Sequence, residues 1–188
     1  MFLTVKKVPT TSWSSSNPQS FKLKFKTIFY LIFGLVLFGT GEGLLIVSTT
    51  GAAPWTVLAQ GISINIDKSV GFVTFFISVT VFFFWIFLKL KPGIGTLLNI
   101  IIVAVMLDVS IMFFQTPILF YNKFLLAIFG VFLVGLGSGF YLMANLGPGP
   151  RDGLMTGLQE KTNLPIVLVR AFLEISVVSI GWYLGGTV

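Results

Sequence analysis

A chain of 188 residues that is 55% apolar, 15% aromatic and 10% charged, with mean hydropathy +0.99, is far from the make-up of an ordinary soluble domain. Its net charge of +6 is crowded ahead of the first apolar run, at Lys6, Lys7, Lys22, Lys24 and Lys26, which suits a cytoplasmic membrane flank and argues against nucleic-acid binding. Cys and His are both absent, so disulfides, thiolate or imidazole metal sites and the commonest nucleophile–base pairs drop out; neither an enzyme, a metal nor a cofactor is expected.

Residues 1–26 are rich in Ser, Thr and Lys and read as a flexible cytoplasmic tail. The apolar run behind them is too long for the core of a signal peptide. A spanning helix needs about 20 mostly apolar residues. Five stretches meet that length, over 27–48, 70–88, 94–114, 124–145 and 165–184. Two shorter segments, 54–64 and 150–162, each open on a proline and are too short or too polar to cross, so they read as half-helices or re-entrant stretches. The expected fold is all-α, a polytopic transmembrane helical bundle. Continuous apolar runs such as 81–88 lack the alternation of a membrane barrel.

Lysine and arginine set the orientation. With the N-terminus inside, the inner loops hold Lys89, Lys91, Arg151 and Lys161, and the outer loops only Lys68 and Lys123. Aromatic belts are expected to agree, with Tyr30, Trp85 and Tyr141 at the inner boundary and Trp55, Tyr121, Trp182 and Tyr183 at the outer one. A multi-pass protein of a bacterial cell membrane follows, with the lipid bilayer as its first partner.

Laying residue i on residue i+96 pairs Gly34 with Gly130, Gly39 with Gly135, Gly41 with Gly137, Gly43 with Gly139, Gly51 with Gly147, Gly61 with Gly157 and Pro54 with Pro150. The chain is therefore a duplication, 27–122 and 123–188, behind the tail. One unit holds three spans, an odd number, so the second copy is expected to enter the membrane inverted, as in many secondary transporters. The second copy lacks a counterpart of the span at 94–114, and its repeat is incomplete.

Two strings carry a resemblance. Leu146-Gly147-Pro148-Gly149-Pro150-Arg151-Asp152-Gly153-Leu154-Met155, with Val169-Arg170, Glu174 and Gly181-Trp182-Tyr183-Leu184-Gly185-Gly186 behind it, resembles the YczE/YitT-like family of bacterial membrane proteins. Ala53-Pro54-Trp55 and Pro92-Gly93-Ile94-Gly95-Thr96 fit the same family, from about residue 27 onward. The resemblance implies a further Gly-Ile-Gly-Thr helix after the last span, so this chain reads as a truncated product. It implies no particular reaction or substrate.

A charge inside a span costs about 2.5–3.5 kcal/mol and marks a candidate site. Four qualify: Glu42, Asp108, Arg170 and Glu174. Glu42 and Asp108 lie at similar depth in the outer half, about 21–22 Å from the inner ends at about 1.5 Å per residue. They either share a polar cavity or make separate packing contacts. Arg170 and Glu174, four apart on one helical face, either pair structurally or serve a substrate pathway. Gly149, Pro150, Arg151, Asp152 and Gly153 open the second half-helix, where free N–H groups and Arg151 would hold an anion unless Asp152 caps the helix itself. The function expected is a small secondary transporter or permease for an unidentified small molecule, possible as a homodimer. The alternative is a non-transporting accessory protein that assembles with another membrane complex.

Overall fold

The computed structural model describes residues 11–19 and 24–188, and all regular structure among them is helical. Seven helices follow in order: α1 (Phe25–Ser48), α2 (Pro54–Ile66), α3 (Val70–Leu88), α4 (Ile94–Phe113), α5 (Phe120–Met143), α6 (Pro150–Thr162) and α7 (Ile166–Tyr183). Five of them, α1, α3, α4, α5 and α7, are long and apolar enough to cross a membrane. Helices α2 and α6 are the two short ones, each with proline in its first turn, where a missing N–H costs nothing.

Glycine decides how the bundle closes. Helix α1 crosses α5 antiparallel, with Gly34 against Gly137 and Gly41 against Gly130; a Cβ on Gly34 would lie 2.8 Å from the Gly137 carbonyl, and one on Gly41 2.7 Å from that of Gly130. Small residues permit this backbone approach, which is how helices associate tightly where lipid removes the hydrophobic drive between them. The two contacts exchange into each other under the ninety-six-residue offset, because Gly34 matches Gly130 and Gly41 matches Gly137. On its other side α1 packs through Gly39 and Gly43 onto Val103, Met106 and Ser110 of α4. The alternating glycines of 39–43 therefore serve two helix neighbours, and α1 runs unbroken through them.

The short helices repeat the exchange. Helix α2 packs on α7, where Gly181 lies against Val57 and Leu58, and α6 packs on α3, where Gly153 lies under the ring of Trp85. Residues 57 and 181 match 153 and 85, so each contact pairs one glycine with one bulky residue, on opposite partners in the two halves. The two family strings also meet. The Gly95 N–H donates to the Leu146 carbonyl at 2.8 Å, and the Thr96 hydroxyl donates to the Pro148 carbonyl at 2.8 Å. Gly147 turns the chain there at φ +105°, a conformation that favours glycine.

Two expectations change. Residues 11–19, read as part of a flexible tail, are held against the bundle. The Ser14 hydroxyl donates to the Met143 carbonyl at 2.6 Å, the Ser15 N–H donates to the Ala144 carbonyl at 3.0 Å, and Trp13 packs against Tyr30. These contacts satisfy carbonyls left open at the end of α5, a need that composition does not reveal. Lys6, Lys7 and Lys22 lie outside the described residues. The aromatic belts are also only partly as expected. Tyr121, Trp182 and Tyr183 are exposed, but Trp55, Trp85 and Tyr141 are buried between helices.

Candidate functional site

The first turns of α2 and α6 face one cavity of about 360 Å³, lined by Ala53, Pro54 and Trp55 from one start and Gly149, Arg151 and Asp152 from the other. Such a volume is within the range of small-molecule sites, about 300–1,000 Å³. Neither Ala53 nor Gly149, the N-cap residues, closes its helix with a side chain. The Thr56 N–H turns back to the Ala53 carbonyl at 2.8 Å, but the N–H groups of Trp55, Arg151 and Asp152 have no acceptor within their own helix, and both starts carry partial positive charge.

Arg151 sits between these starts. Its guanidinium lies over the ring of Trp55, 5.5 Å from the centroid, in a cation–π contact between repeat-mates. Among the described residues the ion pair found is Arg170 with Glu174, so Arg151 has no carboxylate within salt-bridge distance. Counted with the loop cations from sequence, Arg151 is half-buried on the wall of this cavity. Its neighbour Asp152 does not cap α6; its carboxylate accepts from the hydroxyl of buried Tyr141. Trp85 fixes the same turn, with its indole N–H donating to the Pro150 carbonyl at 3.0 Å and its ring covering Gly153.

Of the charges named from sequence, Glu42, Arg170 and Glu174 line this cavity and Asp108 does not. Glu42 is 3% exposed, and its carboxylate accepts from the hydroxyl of Thr56 in the first turn of α2. Arg170 Nε donates to Glu174 Oε1 at 2.8 Å, with the two side chains 65% and 29% exposed. Asp108 instead serves the start of α3. It accepts from the Ser69 hydroxyl at 2.5 Å and the Gly71 N–H at 2.6 Å, while Ser69 caps the Phe72 N–H at 3.1 Å. Similar depth did not make Glu42 and Asp108 neighbours, because α4 presents Asp108 to α3.

Sequence reasoning passed over Trp55 and Tyr141 as site residues. The signal for Trp55 was its place exactly opposite Arg151 in the repeat; for Tyr141 there was none beyond its own helix. Together the groups offer Arg151 and two uncapped helix starts for an anion, beside the Arg170–Glu174 pair and two further carboxylates, Glu42 and Asp152, each hydrogen-bonded to a hydroxyl.

The helical bundle and its five long apolar helices define the class: a multi-pass integral membrane protein built from α-helices. More narrowly, the chain belongs to a family described as of unknown function, DUF6198, whose model matches residues 25–188. It is similar to an uncharacterized protein of Haemophilus influenzae, 41% identical over 184 residues, covering 98% of this chain and 84% of the relative. It is also similar to the uncharacterized membrane protein YczE of Bacillus subtilis, 30% identical over 169 residues, covering 89% of this chain and 78% of that protein. No solved structure matches it.

Proposed function

We propose that this protein is a small secondary transporter whose substrate presents an anionic group between the starts of α2 and α6. The observation that carries the reading is the meeting of two repeat-mate short helices at one cavity, with Glu42 and Asp152 on the same cavity wall but neither within salt-bridge distance of Arg151. Helix starts and an arginine together stabilise anions by fixed dipoles, N–H donors and charge. On this reading the halves lie inverted in the membrane with the N-terminus cytoplasmic, and rocking of one half on the other exposes the site alternately. The exchanged glycine contacts at 34/137 and 41/130 support that arrangement.

The test is charge movement in proteoliposomes on a solid-supported membrane, challenged with a panel of mono- and dicarboxylates and inorganic phosphate. At least one member is expected to give a transient current that Arg151→Gln abolishes and Arg151→Lys partly restores. Silence across the panel, from protein that keeps its helicity, overturns the transporter reading.

One observation favours the accessory-protein reading. Gly39 and Gly43 are packed against α4, whereas their mates Gly135 and Gly139 on α5 have nothing within 4 Å of a built Cβ. A smooth, unfilled face of this kind suits another transmembrane helix. Co-purification of one partner at fixed stoichiometry, without any current, would select this alternative.

A further inference from the structure

A second cavity adjoins the first. It is a cleft of about 710 Å³ among α2, α3, α6 and α7, lined by apolar side chains such as Leu58, Val81, Leu158 and Leu173. Apart from the Trp55 indole, the polar side-chain group among its lining residues is the Thr80 hydroxyl, which is already spent on the Phe76 carbonyl at 2.9 Å. Phe76 and Phe84 at its rim are exposed, so the cleft opens on the apolar flank of the bundle.

Trp55 belongs to the walls of both cavities. One indole therefore separates a cation-bearing chamber from an apolar cleft. The ring is 8% exposed, and its N–H is buried without an acceptor. An orphaned buried donor is costly, and a native fold keeps one where something else fills the need.

We infer that the substrate of this site is a single-chain amphiphilic anion, with its head at Arg151 and the Trp55 N–H and its alkyl tail in the apolar cleft. This rests on the anion site proposed above and adds the substrate's class. The head brings oxygens to the guanidinium, the uncapped helix starts and the indole N–H. The tail occupies a volume that a short anion would leave unused. A neutral chain would fill the cleft but leave Arg151 and the indole donor unmatched.

The experiment uses the full chain in nanodiscs of zwitterionic phosphatidylcholine, with thermal unfolding followed against rising butyrate or decanoate. Decanoate is expected to reach half its effect at a concentration at least tenfold below butyrate. Thr80→Trp, which fills the cleft from an exposed position, should raise the decanoate value at least tenfold and leave butyrate within twofold. Arg151→Gln should remove both effects. If both anions need Arg151 but decanoate ignores Thr80→Trp, the tail lies in lipid and the amphiphile inference falls alone. If neither anion needs Arg151, the anion site falls with it. Crosslinking of a diazirine-tailed fatty acid to the unaltered protein gives a second measurement. Labelling at Phe76, Thr80 and Phe84 that decanoate competes away is expected, and uncompeted labelling there overturns the inference.

Discussion

Gly153→Ala tests whether packing against Trp85 is what fixes the start of α6, where we propose the anion site. A Cβ at position 153 would fall 2.0 Å from Trp85 Cζ2, where ordinary contact begins near 3.4 Å, so the ring must move by more than 1 Å. Trp85 is 2% exposed and held by its bond to the Pro150 carbonyl, which leaves it little room. Overpacking of this kind costs about 1–3 kcal/mol. Breaking the indole bond adds about 0.5–1.5 kcal/mol. Alanine returns about 1 kcal/mol of helix propensity in α6. The net expectation is a loss of about 1–3 kcal/mol, the steric term outweighing the propensity gain. Dodecyl sulfate titration from mixed micelles, read by circular dichroism, measures it. In a double-mutant cycle with Trp85→Leu, which makes room, the two changes should couple favourably by about 1 kcal/mol or more. A Gly153→Ala protein as stable as the parent, or costs that simply add, would refute the contact as the determinant.

Three further outcomes are expected. Asp108→Ala should cost about 1–3 kcal/mol, because the Ser69 hydroxyl and Gly71 N–H lose their acceptor, while anion-dependent stabilisation at the cavity is unchanged; a lost anion response would place Asp108 in the site after all. Glu42→Gln keeps an oxygen for the Thr56 hydroxyl and should leave the unfolding midpoint near that of the parent while reducing substrate-driven current, and full current from the variant would remove Glu42 from the pathway. In the cysteine-free chain, Ile64→Cys and Glu160→Cys lie on exposed repeat-mates near the ends of α2 and α6, and an impermeant thiol reagent should reach them from opposite membrane sides. Reaction from one side would contradict inverted halves.

The spans were legible because hydropathy and helix starts are local properties. The expected ranges 70–88 and 150–162 coincide with α3 and α6, since Ser69 and Pro150 mark their starts and Lys89 and Asn163 end them in left-handed turns. Helix α5 begins at Phe120, ahead of the expected residue 124, because Tyr121, Asn122 and Lys123 at the membrane edge can still be helical. The pairing of Arg170 with Glu174 was legible for the same reason, since i,i+4 neighbours share a face on any helix.

Contacts between helices depend instead on crossing geometry, which no window of sequence contains. Trp55, Trp85 and Tyr141 read as belt residues from their positions near span ends. Yet glycines at 34, 41, 130, 137, 153 and 181 let the helices approach until those rings became interior. The same crossings turned Asp108 to the start of α3 and brought Arg151 over Trp55. By itself, then, the sequence determined an all-helical membrane chain and the places of its five long apolar helices and two short ones, because each rests on local hydropathy or proline placement. Only the tertiary structure decided which buried polar groups share a cavity, because partners for a charge in a bundle are supplied by whichever helix face packs against it.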